Sequence, residues 1–402
     1  MSAWSGIAAA AARALKLLDA GGRDGDLPVA ARLAGARTFL VLRYESALGS
    51  AINATVLFEA FRRLKPNAHI AVVCGRLCFE VLKGNPFIDE FIVTADPREH
   101  FLRAVFEALR AVRWGRRRFD CLITSCDDRP RIETMALLLG RGLRIGHGPE
   151  GAFHVAFRET GQSSVISEHL RIAQVFGRVD TLAVPRVVFT PPDAAAARAK
   201  LIESGWDGAQ PLFLFASQGS GGQPTEWYED RFAIVADRLA RQYRAAIVFA
   251  GSADQGRAID RIRSAMHSPS INLAGLTTIG ELSALVSMSD LMVTLDTGSM
   301  HLARGWGTPM VVIASAWQPV HQWLQPLIGD RVEILRRDHV PCALCAKFYC
   351  ATRECLDEIT TEDVIAAALR MLENFPPGTA HAISPNGRHS PGDPAVVQIQ
   401  PT

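Results

Sequence analysis

Leu291–Ile313 reads LMVTLDTGSMHLARGWGTPMVVI, and its spacing decides the fold. An apolar run, Leu291–Leu295, ends on Asp296-Thr297-Gly298. Helical spacing starts at about Ser299 and closes at Trp306. Gly307-Thr308-Pro309 then turns the chain into another apolar run, Met310–Ala314. Strand, turn, helix and strand form the repeating unit of a parallel sheet covered on both faces. Gly298 permits close backbone approach. The free N–H groups opening the helix favour an anion, and Thr297 and Ser299 add hydroxyls. His301 lies in the first turn, within reach of the same anion. A pyrophosphate suits this turn. From local pattern alone, an ordinary strand–turn–helix with Asp296 as a structural cap reads equally well.

The alternation continues on both sides. Leu212–Ala216, Ala246–Ala250 and Ile271–Leu273 read as strands, and Tyr228–Tyr243, Asp254–Met266 and Ile279–Ser287 as helices. Leu182–Asp193, with three prolines, reads as a linker. Before it, Thr38–Arg43, His69–Cys74, Phe91–Thr94, Cys121–Thr124 and Leu143–Ile145 read as strands, and Ala51–Leu64 and Arg98–Arg113 as helices. The expected class is α/β, with two doubly wound parallel sheets facing a cleft. The expected domains are a leader with one short helix over 1–36, a first domain over 37–185, and a second over 186–375. The second ends in a helix, Thr361–Asn374, capped by Thr360 or Thr361. Residues 376–402, rich in Pro, Gly, Ser, His and Asn, are expected to be disordered.

Composition narrows the function. The 402 residues are 48% hydrophobic and 21% charged, which suits two cores. Forty-three basic and 41 acidic residues leave a net charge of +2, which argues against a general nucleic-acid binder. No stretch has the roughly 18 unbroken apolar residues of a membrane span. Ile7–Leu18 is interrupted by Arg13 and Lys16 and reads as an amphipathic surface helix, able to touch a membrane peripherally. A cytoplasmic location is expected. Cys74, Cys78, Cys121 and Cys126 lie in apolar stretches and read as buried thiols. Cys342, Cys345, Cys350 and Cys355 are clustered, and four thiolates at this spacing can bind zinc or iron. Free thiols or a labile disulfide remain open.

The stretch Asp296-Thr297-Gly298, His301-Leu302-Ala303 and Gly307-Thr308-Pro309 resembles the C-terminal signature of glycosyltransferase family 9, the ADP-heptosyltransferases of lipopolysaccharide core synthesis. Leu40–Phe61 resembles the family's first strand, glycine loop and helix. Gly84-Asn85-Pro86, Ile88-Asp89, Arg144-Ile145-Gly146, Glu168-His169-Leu170 and Ala274-Gly275-Leu276-Thr277 fit as well. So does the cysteine cluster followed by Ile359-Thr360-Thr361-Glu362, and some relatives carry an iron-binding cysteine motif there. The resemblance spans roughly residues 38–373. It implies a GT-B fold of two Rossmann-like domains. It also implies inverting transfer of a sugar, with heptose the family's sugar, from a nucleotide-diphosphate donor, ADP-linked, to an acceptor hydroxyl on a glycan, protein or metabolite. No cofactor is needed for that chemistry. Ser217, Gln218, Gly219, Gly275, Asp296, Thr297, Gly298, Ser299 and His301 would hold the donor.

Two positions depart from the family. Its first loop carries a catalytic Asp after Leu-Gly, where this chain has Ser50. A serine without a neighbouring base removes a proton poorly, so Glu45 in the same loop is the nearest substitute. His69 and the Asp127-Asp128 pair rank behind it. The family also has a Lys or Arg shortly before Trp227, whereas Ser217–Glu226 contains no cation. Backbone N–H groups of 217–222 would have to replace it. Three readings therefore stay open: an active transferase, with Glu45 or Ser50 facing the acceptor; a degenerate GT-B protein that binds a nucleotide sugar or a partner without turnover; and, ranking behind both, another GT-B enzyme such as a nucleotide-sugar epimerase, for which no second acid/base constellation is present.

Overall fold

The computed structural model describes residues 28–124, 129–148, 152–158, 163–179, 184–219, 225–327, 329–347, 349–378 and 397–399. The expected helix at 7–18, Cys126 and Asp127-Asp128 lie outside these residues. The chain divides into two compact units, Met1–Ala183 and Val184–Thr402.

The first unit is built on six parallel strands: β1 (Thr38–Arg43), β2 (His69–Cys74), β3 (Glu90–Val93), β4 (Cys121–Thr124), β5 (Leu143–His147) and β6 (Val155–Phe157). Their order is β3-β2-β1-β4-β5-β6. Phe39 pairs with Ile70 on one side and Cys121 on the other. β1 is buried along nearly its whole length, which explains its unbroken apolar run. Two expected helices differ in extent. The stretch expected as one helix over 51–64 is two, Leu48–Asn53 and Thr55–Leu64. Thr55 Oγ1 donates to the Ile52 carbonyl at 2.7 Å, and that side-chain bond competes with the backbone at the break. The helix expected from Arg98 starts at Phe101 and passes through a π turn, Arg110–Trp114. Asp96 accepts the Arg98 N–H at 2.8 Å, which holds the chain in a turn just before it.

The second unit repeats the plan with β7 (Leu212–Ala216), β8 (Ala246–Phe249), β9 (Ser270–Asn272), β10 (Leu291–Leu295), β11 (Met310–Ile313), β12 (Val332–Leu335) and β13 (Val397–Ile399). The order is β13-β12-β11-β10-β7-β8-β9, so its first six strands reproduce the order of the first sheet. Phe213, Phe215, Phe232, Phe249 and Val293 fill one core, which the helix Thr361–Asn374 closes. Strands β6 and β12 were not expected. β13 pairs with β12 inside the stretch expected to be disordered. The stretch expected as a linker contains the start of a helix, Pro191–Glu203. Thr190 and Asp193 form a reciprocal capping box, and proline tolerates the first helical turn, so these prolines open a helix. In each sheet the connections reverse direction at one place: between β1 and β4, and between β7 and β10. Such folds bind ligands at the carboxyl ends of the strands flanking that reversal.

Candidate active site

Ser217 leaves the end of β7, Asp296 the end of β10 and Ser315 the end of β11. These strands are adjacent, so three loops distant in sequence meet at one edge of the sheet. The loop after β7 is drawn inward. Gln255 Nε2 donates to the Gly219 carbonyl at 2.9 Å, and a Cβ on Gly219 would fall 2.5 Å from Thr225 Oγ1. Gln218 beside it is partly exposed. Gly275, beyond β9, has φ +71°, and a Cβ there would lie 2.7 Å from the Ala253 Cα. Only glycine fits both constraints.

The helix Gly298–Trp306 starts with Thr297 as N-cap in extended conformation. The Thr297 hydroxyl makes no capping bond, so it leaves the first-turn N–H groups unanswered by its side chain. Ser217 Oγ, Thr297 Oγ1, His301 Nδ1 and Ser315 Oγ are all buried without a hydrogen-bond partner among the described residues. Each such atom costs about 1–3 kcal/mol if left unpaired. Their convergence beside a helix N-terminus marks a place built for a polar, anionic ligand. Gly298 and Ser299 lie in the same turn, partly exposed.

Burial sets the charges. It pushes the Asp296 carboxyl up to about 6, against the pull of Arg336 and Arg304. It pushes His301 down to about 3, with Arg304 adding to the effect, so the imidazole is neutral at ordinary pH. Arg304 is held by Asp330 at 3.0 Å, both side chains buried. Arg336 donates to the Ser315 carbonyl at 2.9 Å and to Asp338 at 2.6 Å. Arg336 was missed in the sequence because β12 was missed. The apolar run Val332–Leu335 directly before it was the available signal. Trp306 and Trp317 are buried, and Trp306 donates to Ser283 Oγ at 2.7 Å, so they serve packing. Trp323 is partly exposed, with its ring 6.2 Å from that of His301.

In the first unit a cavity of about 1010 Å³ is lined by Glu45, Ser46, Arg76, Asp96 and Arg98 among others. Glu45 follows β1. Its carboxylate is ion-paired with fully buried Arg43 and accepts from Cys78 Sγ at 2.9 Å. Ser50 is partly exposed within the helix Leu48–Asn53. His69 opens β2, at the opposite end of that strand from Cys74, and its contact is Glu90 at 3.4 Å. The fold therefore does not bring His69 to the strand ends where Glu45 lies.

Cys342, Cys345, Cys350 and Cys355 are unbridged. Leu344 and Ala346 both adopt positive φ, and their N–H groups are fixed on the carbonyls of Ala316 and Trp317 at 2.7 and 3.0 Å. The Arg353 N–H donates to Cys350 Sγ at 3.3 Å and lowers the thiol's pKa. Among the described residues no group of three His, Cys, Asp or Glu side chains is arranged to hold a metal, so the structure gives the expected zinc or iron no support.

Two doubly wound parallel sheets, with the candidate anion site at the second sheet's reversal, are the arrangement of a GT-B fold. Residues 170–355 match the model of glycosyltransferase family 9 (heptosyltransferase). The chain is 22% identical over 355 residues to lipopolysaccharide heptosyltransferase 3 of Escherichia coli, covering 83% of this chain and 98% of the relative. Its fold is similar to that of a glycosyl transferase family 9 protein from Veillonella parvula. That match has a TM-score of 0.74 and 21% identity, covering 84% of this chain and 97% of the other. It is also similar to the ADP-heptose lipopolysaccharide heptosyltransferase II of E. coli, with a TM-score of 0.66 and 18% identity, covering 84% and 98%.

Proposed function

We propose that this glycosyltransferase moves heptose from an ADP-linked donor to an acceptor hydroxyl with inversion. The observation that carries the reading is the set of unpaired buried polar atoms, Ser217 Oγ, Thr297 Oγ1 and His301 Nδ1, at a helix N-terminus beside Asp296. These groups, with backbone N–H groups of 217–219 and 298–299, would hold the donor diphosphate. Gly275 keeps the neighbouring loop close. Neutral His301 can donate or accept one hydrogen bond without adding charge. Arg336 and Arg304 bring positive charge to Asp296, and they would answer for the cation that the 217–226 loop lacks. Two of the three proteins described above are named as heptosyltransferases, and one of these for ADP-heptose, which supports the choice of sugar and nucleotide.

The proposal gives Glu45 the acceptor's proton and leaves Ser50 to orient the hydroxyl. The sugar's anomeric carbon would gain a bond to the acceptor oxygen as the bond to the diphosphate breaks. Backbone amides at the helix end would stabilise the departing diphosphate. No metal is required for that step.

Calorimetry with ADP, UDP and GDP tests the donor site. ADP is expected to bind best, and His301→Ala to weaken it about tenfold or more, roughly 1.4 kcal/mol. Binding of UDP or GDP in preference to ADP would change the donor. No binding of any diphosphate would return the reading to a scaffold without turnover.

A further inference from the structure

The helix Phe101–Leu109 and the π turn after it carry large apolar residues on their outward face as well as on the buried one. Ala104, Ala108 and Val112 face the core, while Leu102, Phe106 and Trp114 are 63%, 53% and 61% exposed. Phe101, Val105 and Leu109 also pack against that core, so Leu102, Phe106 and Trp114 form a second, outward apolar face. Leu102, Phe106, Arg110 and Trp114 follow one another at intervals of four, so they share one stripe. Phe106 and Trp114 stack edge to face at 5.3 Å, which preforms an apolar ridge.

Charge surrounds the ridge. Between Phe101 and Phe119 the chain has six arginines and one carboxylate, Glu107. Arg103 pairs with Glu107 at 2.7 Å, Arg113 donates to the Leu138 carbonyl at 2.9 Å, and Arg117 pairs with Glu90. Arg110, Arg116 and Arg118 are exposed, and their side chains make no hydrogen bond or ion pair with the described residues. With a whole-chain net charge of only +2, this is a local basic patch.

We propose that this face docks on an anionic phospholipid surface. Trp114, Phe106 and Leu102 would enter the boundary between headgroups and acyl chains, and Arg110, Arg116 and Arg118 would contact lipid phosphates. A nucleic acid would answer the arginines but leave the outward Leu102 and Phe106 without an apolar partner. An acidic protein would match the charge equally, yet an interfacial tryptophan ringed by arginines is the pattern that bilayers select. The same helix contributes Arg103, Glu107 and Arg110 to the wall of the cavity that contains Glu45, so a docked membrane would lie beside that cavity. The inference does not depend on the transferase reading, because lipid binding needs neither donor nor turnover.

The test is sedimentation of the full chain with vesicles of phosphatidylethanolamine and phosphatidylglycerol, and with phosphatidylcholine alone. Binding to the anionic vesicles is expected, with little to the neutral ones. Replacing Arg110, Arg116 and Arg118 by Gln removes three charges and should weaken binding about a hundredfold. Brominated phosphatidylglycerol should quench tryptophan fluorescence in the wild type and much less in Trp114→Phe, a readout that needs no destabilising change. The proposal is overturned if the chain stays in the supernatant at low salt, or if quenching is unchanged in Trp114→Phe. It is also overturned if RNA binds with the same arginine dependence while anionic vesicles do not. A dimer dissolved by Phe106→Ser would assign the ridge to self-association instead.

Discussion

Asp296 and His301 lie five residues apart at one strand end, and burial moves their protons in opposite directions. Desolvation disfavours whichever form is charged, so the acid is pushed up to about 6 and the imidazole down to about 3. The carboxyl's folded value lies above its ordinary 3.8, so its contribution to stability is full below about 3.8 and lost as pH rises through about 6. The same titration should act on binding. Ionised Asp296 repels a diphosphate, so ADP affinity should fall as pH rises through about 6, and calorimetry across that range should show proton uptake on binding. Phosphate itself titrates near 6, which is why Asp296→Asn is the control. The variant should lose the Asp296 part of the slope. An unchanged slope would remove Asp296 from the diphosphate's surroundings. His301 cannot mimic the effect, since it stays neutral throughout this range. Neither direction was readable from DTG-x-x-H, because adjacent letters do not report how much water a fold removes.

The helix Gly298–Trp306 was legible at the level of an element: a strand before it, a glycine at its start and Gly307 after it. Gly307 adopts φ +65° and ends the helix as a left-handed cap. Its anchor was not legible. Arg304 reaches Asp330, 26 residues on, and Asp330 also accepts the Leu327 N–H at 2.8 Å. Removing one member of a buried pair strands the other's charge, so Asp330→Ala should lower the unfolding free energy by about 3–5 kcal/mol. Denaturant unfolding of wild type and variant measures it, and a loss under 1 kcal/mol would show that Arg304 finds another partner. The helix Pro191–Glu203 failed in the opposite way. Its Thr190–Asp193 capping box is local and was available in the sequence, but the adjacent prolines were weighed as breakers when position N1 accommodates them.

For the whole molecule, donor binding and acceptor activation are assigned to different units, which separates two readouts. Glu45→Gln should reduce kcat by about a hundredfold to ten-thousandfold, the range of a lost general base, while ADP affinity stays unchanged. Arg43 then loses its counter-charge in a fully buried position, so the variant should also unfold more easily, and turnover must be measured on the folded fraction. Retained kcat would move the base elsewhere. The sequence by itself determined the alternation of strand and helix, the parallel sheets that alternation demands, and the turn at Asp296-Thr297-Gly298, because periodicity and turn chemistry act over a few residues. The three-dimensional fold alone sets β1 between β2 and β4, brings Arg336 and Arg304 to act on the Asp296 carboxyl, and pairs Glu45 with Arg43. It also decided that Leu102, Phe106 and Trp114 face outward. Strand order, burial and exposure depend on neighbours dozens of residues away, and no local pattern encodes them.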